Sequence, residues 1–262
     1  ESEALKQRIA THYAQQYGVT VAPERIILTC GASAALVLAI SSSFVPGQSV
    51  ALARPGYVAY RNTLRALHVG VREIPCGPET RFGLTAQAIK APDPAPAGVI
   101  VASPANPTGT ILEPDTLREI AELCCQRGMV LISDEIYHGL SYEKPARSML
   151  EFAPEALVVN SFSKYFSMAP WRLGWLVVPD HMVGAARARM GNLFLPPSAL
   201  SQHAALADFD CGAELQSHVA TYRRNRDLFL EALPALGLNR IAPPDGAFYI
   251  YADIRHLTDD SL

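Results

Sequence analysis

Lys164 closes the tetrapeptide Ser161-Phe162-Ser163-Lys164, directly after the apolar run Leu157-Val158-Val159. An apolar run of that length bounded by polar residues reads as a buried parallel strand, so the lysine falls just past the strand's carboxyl end. Open α/β sheets bind their ligands at that edge. The three other lysines, Lys6, Lys90 and Lys144, fall in helix or loop segments that read as solvated. A lysine among small hydroxyl residues at a strand end is a candidate amine nucleophile, able to form a Schiff base with a carbonyl. Taken alone, it reads far more readily as a surface lysine.

Other polar groups stand in the same relation to other apolar runs. Gly31-Ala32-Ser33 follows the extended stretch Arg25 to Thr29 and leads into the apolar helix Leu36 to Ile40. Small residues at such a turn expose backbone N–H groups at a helix start, which is a phosphate-binding geometry, although they also pack helices onto sheets. Tyr57 ends the turn Arg54-Pro55-Gly56-Tyr57 after the strand Ser49 to Ala53. Asn106 lies in Ser103-Pro104-Ala105-Asn106-Pro107-Thr108-Gly109, after the strand Gly98 to Ala102. Two prolines make that turn rigid, and Asn106–Pro107 is expected to be cis. Asp134, Glu135 and Tyr137 follow the strand Met129 to Ile132, and Arg172 precedes the strand Leu173 to Val178.

Singly, Asp134 reads as a helix cap, Tyr57 as packing and Arg172 as half of a salt bridge. Together they converge, because the carboxyl ends of a parallel sheet all lie on one edge. A phosphate cradle, an aromatic plane, a carboxylate, a phenol and an amine describe a receptor for a phosphorylated aromatic aldehyde, pyridoxal 5′-phosphate. Lys164 would bind the aldehyde covalently and then move the substrate's α-proton. Asp134 would pair with the ring nitrogen and keep it protonated. Tyr137 and Asn106 would hydrogen-bond the ring hydroxyl, and Tyr57 would stack on the ring. Arg172 and Ser161, with the backbone of Ala32 and Ser33, would hold the phosphate, and Gly31 and Ser163 complete the cofactor-binding set.

The elements that must position these residues follow from periodicity. Leu5, Ile9, Tyr13 and Tyr17 recur every fourth residue, giving an amphipathic helix closed by Gly18. Val69 to Pro75 reads as a strand, and Pro114 opens a helix with Leu117, Ile120, Ala121 and Cys124 on one face, stopped by Gly128. Residues 179–236 are helical in pattern, with Leu215, Val219, Tyr222, Phe229 and Leu233 along one side of the last helix, and Ala247 to Tyr251 reads as an aromatic strand. The alternation implies an α/β fold, a mostly parallel central sheet sandwiched by helices. Residues 1–236 are expected to form a large cofactor-binding domain ending in an interdomain helix, and 237–262 the start of a smaller α+β domain.

Composition removes other classes. The net charge of −3 disfavours a nucleic-acid surface, and the one basic cluster, Arg223, Arg224 and Arg226, reads as a solvated helix face. Five cysteines, an odd number without a C-x-x-C pair, suggest a reduced, cytoplasmic protein with neither disulfide frame nor zinc. The seven histidines show no metal-ligand spacing, so no metal is expected. The longest apolar run, Ala34 to Ile40, is far too short for a membrane span, and no signal peptide is recognisable.

The same motifs carry a resemblance. Ser-Pro-Ala-Asn-Pro-Thr-Gly at 103–109, Ser-Asp-Glu-Ile-Tyr at 133–137, Ser-Phe-Ser-Lys at 161–164 and Trp-Arg-Leu-Gly-Trp at 171–175 resemble the class I/II aminotransferases, of the aspartate aminotransferase superfamily and fold type I. Gly-Ala-Phe-Tyr at 246–249 is similar to that family's entry into its small domain. The resemblance implies a homodimer that moves an amino group between an L-amino acid and a 2-oxo acid. It also implies that the arginine for the substrate α-carboxylate lies beyond Leu262, and that an N-terminal segment is missing. Two departures stand out. Pro170 replaces a usual Gly, and Ser33 stands where a branch acting on acidic substrates has Lys. A C–S β-lyase or a decarboxylase on the same scaffold is the nearest alternative, and the effector domain of a transcription regulator a more distant one. Ser161-x-x-Lys164 also fits the S-x-x-K of penicillin-binding enzymes, but its Ser-Asp-Asn and Lys-Thr-Gly partners are absent from the chain.

Overall fold

The computed structural model describes residues 1–258. Among the described residues seven strands form: β1 Ile26–Thr29, β2 Ser49–Arg54, β3 Gly70–Pro75, β4 Gly98–Ala102, β5 Val130–Asp134, β6 Leu157–Ser161 and β7 Gly174–Val177. They make one sheet in the order β1-β7-β6-β5-β4-β2-β3. Pairing is parallel from β3 through to β6, whereas β7 is antiparallel to both β6 and β1. The mostly parallel sheet expected from the sequence is therefore present, with β7 alone reversed. That reversal matters for Arg172. Because β7 begins at the edge where the other strands end, a residue preceding it shares the edge with residues that follow β1 and β6. Gly174, its first residue, pairs with both Thr29 and Ser161.

Helices cover both faces. Along β4, Val99 and Val101 enter one core and Ile100 the other, and β1 divides Ile26 and Leu28 from Ile27 in the same way. The first core is closed by α1 Glu3–Tyr17, α4 Ala86–Lys90, α5 Pro114–Arg127, α7 Ala199–Asp208 and α8 Gly212–Ala232. The second is closed by α2 Ala32–Ser43, α3 Val58–Ala66 and α6 Val183–Leu193. Burying each such Leu, Ile or Val favours folding by about 1.5–3 kcal/mol, and a one-residue slip would send every side chain to the wrong face. Register is thereby fixed, and so are the residues at the strand ends. Helix boundaries follow the sequence signals. Gly18 (φ 67°) and Gly128 (φ 62°) close α1 and α5 in the left-handed conformation, and Pro114 opens α5.

Some expectations are corrected. Among the described residues the helical stretch 179–236 holds three α-helices, interrupted at 194–198, where Pro196 and Pro197 offer no N–H donors, and again at 209–211. Of the expected stripe on α8, Leu215 and Val219 are buried, as is Leu233 just beyond the helix, but Tyr222 and Phe229 are exposed. Lys6 is buried rather than solvated, its ammonium 2.7 Å from Glu3. Arg223 and Arg226 both pair with Glu143, and Arg226 lies 4.6 Å over the Tyr142 ring, so these two bind α8 to a neighbouring loop. The aromatic stretch 247–251 is not a strand. Ala247 takes a left-handed φ of 57°, and only the isolated bridges Ser141–Gly246 and Ile241–Ala252 form, so no neighbouring strand completes a ladder. Among the described residues no helix is long and apolar enough to cross a membrane, and no group of three or more His, Cys, Asp or Glu could hold a metal ion. All five cysteines are free.

Candidate active site

The carboxyl edge of the sheet opens onto a cavity of about 220 Å³. Ala32, Ser33, Tyr57, Asn106, Asp134, Tyr137 and Lys164 line it, delivered by the ends of β1, β2, β4, β5 and β6 or the turns after them. Asp134 is the last residue of β5, where its backbone still pairs with Ala102 of β4. Its carboxylate is buried, with Oδ2 accepting from the Tyr60 hydroxyl at 2.6 Å and Oδ1 from the Ile136 N–H at 3.1 Å. Burial pushes its pKa up, and those two donors oppose the rise.

Lys164 lies three residues past β6. Its Nζ is 5.2 Å from the centre of the Phe248 ring and 5.6 Å from that of Tyr137, within cation–π range of both. Partial burial, and then the charge of Arg172, lower its pKa, while Asp134 acts in the opposite sense. The neutral, nucleophilic amine is thus more populated than in an ordinary lysine. The Tyr137 hydroxyl is 2.6 Å from that of Tyr249 and, largely through burial, titrates above the ordinary tyrosine range. Asn106 sits in a turn whose Ser103–Pro104 and Asn106–Pro107 bonds are both cis, the second as the sequence suggested. Tyr57 caps the start of α3 with its ring on the cavity wall, edge-on to Tyr60 at 5.4 Å.

The remaining candidates do not line the cavity but adjoin it. Gly31 caps α2 with φ 81°, leaving the N–H groups of Ala32, Ser33 and Ala34 without intrahelical partners. The Arg172 guanidinium lies against this cap so closely that a Cβ on Gly31 would stand 2.5 Å from Nη2. A guanidinium beside the positive end of a helix is electrostatically unfavourable unless an anion joins them. The Ser161 hydroxyl is buried, donates to the Leu173 carbonyl at 2.8 Å and accepts the Ser163 N–H at 3.1 Å, so these two serines brace the turn that carries Lys164. Three residues escaped the sequence reading. Tyr60 had a signal, since it sits one helical turn after Tyr57. Phe248 and Tyr249 stood in the Gly-Ala-Phe-Tyr motif at 246–249 but not as site residues, because the segment bearing them reaches the site through contacts distant in sequence.

The cavity thus brings together an amine and a buried carboxylate, with the α2 start and the Arg172 guanidinium, suited to an anion, adjoining it. The family model for aminotransferase class I and II matches residues 1–262. The chain belongs to the class I and II aminotransferases. It is 47% identical over 262 residues to valine–pyruvate aminotransferase of Mycobacterium tuberculosis, covering 98% of this chain and 68% of that protein. It is 32% identical over 264 residues to aspartate/prephenate aminotransferase of Thermus thermophilus, covering 98% and 68%. The crystal structure of an aminotransferase from Mycobacterium tuberculosis superposes with a TM-score of 0.97 at 46% identity, over 99% of this chain and 68% of that one. Thermus thermophilus aspartate aminotransferase with maleate gives 0.93 at 32% identity, over 98% and 69%. The chain therefore spans about two-thirds of the length of these relatives. It is an aminotransferase, moving an amino group between an amino acid and a 2-oxo acid, and its family is pyridoxal-phosphate-dependent.

Proposed function

We propose that this aminotransferase holds pyridoxal 5′-phosphate through Lys164 and serves L-amino acids with apolar side chains, with a small 2-oxo acid such as pyruvate as acceptor. One observation carries the reading of the site. A lysine amine and a buried carboxylate without a cationic partner in hydrogen-bonding reach open onto one cavity, beside a helix start that a guanidinium crowds. Such a donor set fits a ligand with a phosphate at one end, a carbonyl in the middle and a basic ring nitrogen at the other.

When bound, the cofactor supplies an electrophilic carbonyl for the amino donor and a ring that draws electrons from the substrate α-carbon. The residues do the rest. Lys164, its pKa lowered, would hold the cofactor at its carbonyl carbon, and its Nζ would carry the substrate's α-proton. Asp134, whose ionised form its two donors favour, would pair with the ring nitrogen. The Tyr137 hydroxyl and the Asn106 amide would hydrogen-bond the ring's polar edge, and Tyr57 would form its wall. The free N–H groups of α2, the Ser33 hydroxyl and Arg172 would bind the phosphate, while Ser161 and Ser163 hold the Lys164 turn in place. The substrate class is supported by the lining, in which Leu36, Val37 and Ile136 adjoin the tyrosines and Lys164 is the single cationic side chain, and by the valine–pyruvate relative.

Three further points belong to the same proposal. Residues 1–236 act as the large domain and 237–262 begin a smaller one, the last four lying outside the described residues. The protein works as a homodimer. It works in the cytoplasm, where its free cysteines stay reduced.

Lys164→Ala tests the reading. The variant is expected to lose the visible absorbance of bound cofactor, to resist trapping by borohydride, and to slow valine–pyruvate exchange by about a thousandfold or more. Retention of the wild-type rate would refute the role of Lys164. In the wild type, L-valine should exceed L-aspartate in kcat/KM by at least about tenfold, the worth of a well-matched apolar pocket; the reverse preference would overturn the substrate assignment.

A further inference from the structure

Asp134 presents an electrostatic problem. Its carboxylate is buried at the end of β5, yet among the described residues no guanidinium or ammonium hydrogen-bonds it; Lys164 acts on it only through space. A buried carboxylate in that position tends to take up a proton, and a protonated Asp134 could not serve as anionic partner to a ring N–H. Two donors oppose this, the Ile136 N–H and the Tyr60 hydroxyl, and Tyr60 is the stronger, as expected for a short O–H bond to a carboxylate. The direction of that bond is not in doubt. Burial and the neighbouring Asp134 raise the Tyr60 pKa well above the ordinary phenol value, so Tyr60 keeps its proton and donates it.

Position makes the contact specific. Tyr60 is itself buried, its ring among Leu64 and Ile100 in the core beneath α3, and its hydroxyl spans from α3 to β5 across a separation of 74 residues. With the Tyr60 bond taken, each Asp134 oxygen retains acceptor capacity on its cavity side. The same ring meets Tyr57 at an interplanar angle of 89°, so one turn of α3 supplies both the cavity wall and the brace behind the carboxylate.

We propose that Tyr60 is a positioning residue for amino transfer: its hydroxyl holds Asp134 as an aimed anion and so sets how firmly the site keeps the cofactor's ring nitrogen protonated. This rests on the reading of Asp134 as the ring-nitrogen partner.

Tyr60→Phe removes one oxygen and keeps the ring in the core. In cofactor-free protein, the Asp134 carboxyl titration, followed by ¹³C NMR, is expected to move up by about one to two pH units, the worth of one hydrogen bond to a charged group. In the loaded enzyme, kcat should fall about tenfold with KM little changed, and cofactor affinity should fall several-fold. In an Asp134→Asn background the same Tyr60→Phe change should alter cofactor affinity by less than about twofold, because the two residues act as one unit. An unmoved Asp134 titration overturns the proposal, as does an equal loss of affinity in both backgrounds, which would mean a packing role only. Full activity of Lys164→Ala would instead remove the functional reading itself, whatever Tyr60 does.

Discussion

Gly31 has two reasons to lack a side chain. Its φ of 81° lies where a Cβ is strained, and the space a Cβ would fill holds the Arg172 guanidinium. Both the α2 cap and Arg172 are assigned to the phosphate, so Gly31→Ala should weaken that end of the site selectively. The expected outcome is a loss of about 1 kcal/mol in stability from the backbone and a roughly tenfold fall in cofactor affinity as the guanidinium is displaced. Equilibrium dialysis against pyridoxal phosphate measures the second effect, and unchanged affinity would remove Arg172 from the phosphate site. At this scale the sequence was informative where chemistry follows a strand. Lys164, Asp134, Asn106 and Tyr57 each come directly after an apolar run, and a run is a local signal. Tyr60 carried only the weak signal of lying one helical turn after Tyr57, and Tyr249 was not legible as a site residue, because the partners that give them meaning lie 74 and 112 residues away.

Among the elements, the parallel strands could be read from composition, but the direction of β7 could not, since an apolar tetrapeptide looks alike in either sense. The last aromatic stretch misled for a related reason. Phe248, Tyr249 and Tyr251 have strand-forming side chains, yet strand formation needs a neighbour to complete the ladder. The segment is instead held by single bonds: Gly246 N–H to the Gly109 carbonyl, Ala247 N–H to the Leu140 carbonyl, and the Tyr142 hydroxyl to the Ala247 carbonyl. These bonds bring Phe248 to Lys164 and Tyr249 to Tyr137. The crossing is tight, because a Cβ on Gly246 would stand 2.6 Å from the Leu140 carbonyl oxygen and 2.8 Å from Cγ of Pro104. Neither obstacle is a flexible side-chain end. Gly246→Ala should therefore push the segment outward, costing about 1–3 kcal/mol of stability and lowering kcat. The visible absorbance of bound cofactor should persist, since the phosphate cradle and Lys164 lie on other elements. Loss of that absorbance in a folded variant would show that the segment holds the cofactor itself.

Across the molecule as a whole, the buried Glu135 and His138 and the half-buried His12, near where α1 meets the turn after β5, make stability depend on pH. Burial lowers His12 and His138 to about 4 from 6.5, and raises Glu135 to about 7 from 4.5. His138 holds the Tyr17 hydroxyl on Nδ1 and the Ser103 carbonyl on Nε2; a carbonyl only accepts, so the ring is the Nε2–H tautomer. Glu135 accepts from Ser133, Ser148 and the Met149 N–H on Oε1 alone, leaving Oε2 buried without a hydrogen bond, 3.6 Å from Nδ1 of His138. For the histidines the unfolded chain binds more protons, so stability is lost as pH falls from 6.5 to 4. For Glu135 the folded chain binds more protons, so its contribution is whole below pH 4.5 and is lost as pH rises through 7. Between those limits Glu135 opposes the histidines, and so do Asp134 and Asp208, whose pKa values burial also raises. Glu135→Gln removes one opposing group while preserving an acceptor for the three donors. Relative to wild type, the variant should gain stability progressively from pH 4.5 to 7, by an amount of the order of 2 kcal/mol, and then level off. Its acid limb should be correspondingly steeper. Urea unfolding at half-unit steps between pH 4.5 and 8 measures the difference. A constant offset across that range would mean that Glu135 stays ionised in the folded protein, and that the orphaned Oε2 is a charge the core sustains at every pH.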